Sequence, residues 1–157
     1  MRSFRSSESA RTSPAVADGR RGFREIEHTA DLGIEAEGET PAELFTAAAE
    51  GLYALIADPE GIEAQQAISV AATGGDWEEL LQAWLSELLA EFNLRGFIGK
   101  NLNIQEIERH RVAGTVEGGP LDLKRHRFHT EIKAVTYHEL KVWQDGGKWR
   151  ARVIFDV

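Results

Sequence analysis

The chain of 157 residues contains no cysteine. That excludes disulfides, thiolate zinc sites and cysteine nucleophiles, and it fits a cytoplasmic setting. No apolar run approaches the roughly 20 residues that a membrane-spanning helix needs. Positive charge is scarce outside the first 21 residues. There, Arg2, Arg5, Arg11, Arg20 and Arg21 stand against Glu8 and Asp18, while the remainder holds 13 basic and 24 acidic side chains. A body that acidic lacks the basic footprint that dominates affinity for RNA or DNA, so a protein or a metal is the expected partner. Catalytic signatures are also missing. There is no phosphate-cradling glycine loop, no GxSxG elbow and no HExxH, and the five histidines (His28, His110, His126, His129, His138) lack zinc-site spacing.

Residues 1–21 are Ser/Arg-rich and without periodicity, and they read as a disordered tail, with 22–157 as one domain. Within the domain two helices are predicted. The first begins with Thr40 as N-cap, Pro41 and Glu43, carries Leu44, Phe45, Ala48, Leu52, Leu55 and Ile56 as a buried stripe, and stops at Asp58-Pro59. The second is capped by Asp76 with Glu79 three residues on. It presents Trp77, Leu80, Leu81, Trp84, Leu85, Leu88, Leu89 and Phe92, and ends at Gly96. Alternating patterns predict strands over 23–27, 34–37, 68–72, 97–107, 112–116, 128–135, 140–143 and 149–156, with Asp145-Gly146-Gly147-Lys148 as a hairpin turn. The expected architecture is α+β, an antiparallel-rich sheet with both helices on one face.

Three segments carry possible chemistry. In His28-Thr29-Ala30-Asp31-Leu32-Gly33 an acid sits in a turn between short strands, either accepting local amides as a turn residue or serving as a metal ligand or general base. At the other end, Asp156 and the α-carboxylate of Val157 follow an apolar strand directly, placing two oxygen anions one residue apart, as hard cations prefer. The alternative is a frayed, solvated terminus. Lys124-Arg125-His126-Arg127-Phe128-His129 is the basic cluster of the acidic body, suited to a phosphate or protein contact or to protecting a strand edge.

Taken together these motifs resemble the archease family: His28 to Gly33, then Trp84-Leu85-Ser86-Glu87-Leu88-Leu89, then Glu131-Ile132-Lys133-Ala134-Val135-Thr136-Tyr137-His138, and finally Val153-Ile154-Phe155-Asp156-Val157, all in the family's order. The resemblance implies a compact α+β fold and a bound divalent cation, taken as calcium, held by Asp31, Asp156 and Val157. It further implies a non-catalytic partner of an RtcB-type RNA ligase, which joins 2′,3′-cyclic-phosphate or 3′-phosphate ends to 5′-hydroxyl ends in tRNA splicing and RNA repair. In that role the protein promotes guanylylation of the ligase and its multiple turnover. Two other classes use the same residues: a stand-alone metal-dependent hydrolase or nucleotide-processing enzyme, and a chaperone-like binding module with a structural metal.

Overall fold

The computed structural model describes residues 21–28 and 31–157. Of the expected tail over residues 1–21, residues 1–20 lie outside that description, and Arg21 belongs instead to the first strand. In chain order the elements are β1 (Arg21–His28), β2 (Asp31–Gly38), α1 (Pro41–Ile56), β3 (Gln66–Thr73), α2 (Trp77–Arg95), β4 (Phe97–Glu108), β5 (Arg111–Pro120), β6 (Ala134–Val135), β7 (Lys141–Asp145) and β8 (Lys148–Asp156). All pairings are antiparallel, and the α+β class holds. The strands divide into two sheets, however. One runs β1-β2-β8-β6, with β7 also on β8, and the other runs β3-β5-β4.

This division explains why α1 is buried nearly all round rather than along one stripe. It packs on β1, β2 and β8 of the first sheet and on β4 of the second. Ala47, Ala49 and Gly51, which lie off the predicted stripe, are buried as well. Small residues permit that: a Cβ on Gly51 would stand 3.0 Å from Ile34 and 3.1 Å from Phe23. Tyr53, on the same helix, buries a phenol whose pKa is driven up by desolvation and, secondarily, by Glu91 nearby.

The two strand-to-helix connections are built alike. Gly38-Glu39-Thr40 leads into α1 and Gly74-Gly75-Asp76 into α2. In each, the cap side chain accepts from the amide three residues on, Glu43 to Thr40 at 3.1 Å and Glu79 to Asp76 at 2.8 Å. The same glutamates reach back to the amides of Glu39 and Gly75, both at 2.9 Å. Both leading glycines abut the helix's first turn, where a Cβ would lie 2.6 Å from the Leu44 amide or 2.4 Å from that of Leu80. Gly96 ends α2 in the left-handed region at φ 71°. Removing the second cap, Asp76→Ala, is expected to cost about 1 kcal/mol, with Asp76→Asn near neutral. Urea denaturation of the two variants checks this, and equal losses would show that the oxygen acceptor is not what matters.

Residues 128–133 depart from their predicted strand. Phe128 makes a single bridge to Ala57, and the amides of His129 and Thr130 then donate to the Ile56 carbonyl at the end of α1. Those donors cap a helix C-terminus instead of joining a ladder, so only Ala134–Val135 remain as β6.

Candidate metal centre

β8 lies at the middle of the first sheet, with β2 along one edge and β7 then β6 along the other. Strand alternation places Glu37, Glu35, Gly33 and Asp31 of β2 on the outward face. Opposite them in register stand Arg150, Arg152 and Ile154. Leu32 pairs with Phe155, so one step further along the same register sets Asp31 opposite Asp156. Thus the two ends of the described domain meet at one end of one sheet.

The ladder leading to that point is electrically matched. Glu37 accepts from Arg150 at 2.7 Å and from Lys148 at 3.3 Å. Glu35 accepts from Arg24 at 2.6 Å and from Arg152 at 3.0 Å. The next pair is apolar. Gly33 leaves room for Ile154 and Ile26, both buried, and a Cβ there would fall 2.8 Å from Ile154 and 3.0 Å from Ile26. The final position opposes two acids. Among the described residues neither Asp31 nor Asp156 has an ion-pair or side-chain hydrogen-bond partner. Like charges directly across two strands repel. A cation there would turn the one mismatched rung into a matched one.

The surrounding main chain fixes this corner. Asp31 pairs with His28 on β1, Ala134 pairs with Asp156, and the Lys133 amide donates to the Asp156 carbonyl at 2.7 Å. Phe155 is fully buried and Val157 packs its side chain against the core. Val157 is therefore held against the core directly after β8. Asp31 and Val157 are half-buried and Asp156 is exposed. Among the described residues no three His, Asp or Glu side chains converge to hold a metal. The expected ligands Asp31, Asp156 and Val157 would offer two side-chain carboxylates and the α-carboxylate of Val157 instead. All these donors are oxygens, which suits calcium or magnesium. The turn residues Thr29 and Ala30 lie outside the described residues.

Several of the other candidates make local hydrogen bonds or ion pairs. The basic cluster forms a turn rather than a strand edge. His126 accepts from the Asp122 amide at 2.9 Å through Nδ1, which leaves Nε2–H to donate to the Gly61 carbonyl at 3.0 Å, a tautomer assigned from this network. Arg125 pairs with Glu63 at 3.2 Å, and its hydrogen bond, with that of Gln65, holds the Glu63 carboxyl below the usual carboxylate range. His129 Nε2 meets Asp58 at 2.6 Å, and His110 Nδ1 lies 3.1 Å from the Gly74 carbonyl. What sequence reasoning missed is the charge ladder along β2 and β8, whose signal was present as Glu35-Ala36-Glu37 and Arg150-Ala151-Arg152.

Residues 23–157 match the model of the archease protein family. An archease of Methanopyrus kandleri is 38% identical over 138 residues, covering 86% of this chain and 99% of its own. One of Pyrococcus furiosus is 32% identical over 141 residues, covering 87% and 99%. Among solved structures, the solution structure of a Methanobacterium thermoautotrophicum protein superposes with TM-score 0.74 at 31% identity, over 86% of this chain and 98% of that one. A Thermotoga maritima crystal structure, described as an archease and possible chaperone, gives TM-score 0.58 at 25% identity, over 84% and 94%.

Proposed function

Since the chain belongs to the archease family, we propose that it is a non-catalytic accessory protein that activates an RtcB-type RNA ligase in tRNA splicing and RNA repair. In this reading it promotes guanylylation and multiple turnover of the ligase, with a divalent cation, calcium by preference, held by Asp31, Asp156 and the carboxylate of Val157. The supporting observation is the acid-on-acid rung at the end of an otherwise matched charge ladder. When bound, a divalent cation supplies positive charge between the two aspartates. Asp31 and Asp156 hold their carboxylates on adjacent strands, and the buried Ile26 and Ile154 close the sheet face beside them. The role in the cytoplasm belongs to the same proposal. Among the described residues no helix is long and apolar enough to cross a membrane.

Positioning dominates phosphoryl-type transfers such as ligase guanylylation. An acidic partner that stabilises the nucleotide-competent ligase conformation needs no RNA contact of its own. The test mixes the protein with a cognate RtcB-type ligase at limiting ligase and follows guanylylation and ligation beyond one turnover. Unchanged turnover removes the activator reading. Hydrolysis of nucleotide or phosphoester without ligase promotes an enzyme. Retained activation by Asp31→Ala points to a chaperone-like module in which any metal is structural. For the metal itself, calorimetric titration of calcium into Asp156→Ala and into a chain lacking Val157 is expected to show affinity lower by at least about tenfold. Unaltered affinity in both would sink the proposed ligands.

A further inference from the structure

Directly beside the acidic corner runs a groove of about 250 Å³ between α2 and β6, lined by Gln82, Ser86, Leu89, Ala90 and Asn93 on the helix and by Lys133, Ala134 and Val135 opposite. The two features share a wall, because Ala134 pairs with Asp156 and the Lys133 amide holds the Asp156 carbonyl. The groove's composition differs from the rest of the surface. In a chain of net charge −8, its one charged lining residue is a lysine. Among the described residues Lys133 has no ion-pair partner, and the side chains of Ser86 and Asn93 have no hydrogen-bond partner. The floor is apolar, formed by buried Leu89 and Val135. One large apolar side chain stands open at its margin, Tyr137, 64% exposed and bonded through its hydroxyl to the lining residue Gln82. Exposed apolar surface with a polar rim marks an interaction surface.

The mode of docking is constrained. β6 is an edge strand, which would invite another strand to pair with it. Yet the outward Val135 carbonyl already accepts from the Gln82 amide at 3.0 Å, and the Tyr137 hydroxyl donates to the same Gln82 at 3.2 Å. That brace occupies the edge, so an occupant engages side chains rather than extending the sheet.

We propose that this groove docks an acidic segment of the partner ligase, with a carboxylate on Lys133 and an apolar side chain over Leu89, Ala90 and Val135. The proposal rests on the ligase reading and deepens it: contact at the groove would set the acidic corner against the same partner. Charge selects the occupant. A basic segment is repelled by Lys133 and drawn to the acidic surface elsewhere, whereas a carboxylate finds here a cation unpaired among the described residues, next to an apolar floor.

The test measures binding of the full-length protein to the ligase by calorimetry. Ala90→Glu alters an exposed helical position and adds bulk and negative charge inside the groove. It is expected to weaken binding at least about tenfold. Lys133→Glu should do the same, Lys133→Arg should retain affinity, and Gln105→Glu, the same added charge on the second sheet, should have no effect. Calcium affinity of Ala90→Glu should stay at the wild-type value, which separates the groove from the metal centre. Wild-type binding that Ala90→Glu leaves intact overturns the docking groove alone. Absence of binding by the wild type overturns the ligase reading, and this proposal with it.

Discussion

Trp84→Ala is expected to destabilise the domain by about 3–5 kcal/mol, a large share of the roughly 5–15 kcal/mol that holds a typical domain folded. Trp84 is fully buried, and its indole N–H donates to the Phe45 carbonyl at 3.2 Å, tying α2 to α1. Truncation would leave a cavity at the junction of the two helices, and α1 is packed too closely against both sheets to move into it. Trp84→Phe divides the effect. It keeps most of the apolar volume and gives up the donor, a term of about 1 kcal/mol, together with a smaller void. Urea unfolding of both variants, read from the midpoint at unchanged slope, gives the two numbers. A loss below about 1 kcal/mol for the alanine variant would contradict the packing described.

The second large effect is Gly118→Ala, a change of one methyl group. Gly118 lies on β5 opposite Gly99, where β4 shifts register. A Cβ there would sit 1.9 Å from the Ile98 carbonyl oxygen and 2.9 Å from the Gly99 Cα. Both obstacles are main chain, so no rotamer change relieves the overlap. Accommodating the methyl means separating the strands at that point, an overpacking cost of about 3 kcal/mol or more. Thermal unfolding should show the loss, and amide exchange should show it concentrated along β4 and β5. Gly146→Ala is the comparison, because its Cβ would meet nothing within 4 Å, though its φ of 60° adds a strain of its own. Equal stability of Gly118→Ala and the wild type would mean that the close approach is not present in solution.

Both helices were legible because their signals are local. Caps, first-turn glutamates and the closing glycine each act within four residues, and the observed helices begin where Thr40 and Asp76 place them. The β7–β8 hairpin was legible for the same reason: Gly146 and Gly147 supply the positive φ values that a two-residue turn requires. The division into two sheets was not. Which strands neighbour one another depends on contacts between distant segments, and alternation alone cannot choose among partners. Residues 128–133 show a related limit. Their Phe128-His129-Thr130 pattern has strand character, but the carbonyl at the end of α1 competes for the amides and wins. At the acidic corner, local patterns singled out Asp31 and the Asp156-Val157 pair separately, and only the family resemblance grouped them. The opposition of Asp31 and Asp156 across two strands is a matter of register, and it emerged only with β2 laid against β8.

The central place of β8 has a bearing on synthesis. The strand is last in chain order, yet β2, β6 and β7 all pair with it. While a ribosome is still extending the chain, β2 has β1 on one side and an unsatisfied edge on the other, with more than a hundred residues yet to be made before its partner emerges. Contacts of such long sequence separation form late and slowly, and an open edge in the meantime is exposed to wrong pairing. The nascent protein therefore passes through a stage in which α1 and both helix caps can form but the first sheet cannot close. A chain stalled before Lys148 would lack the strand on which that sheet is assembled.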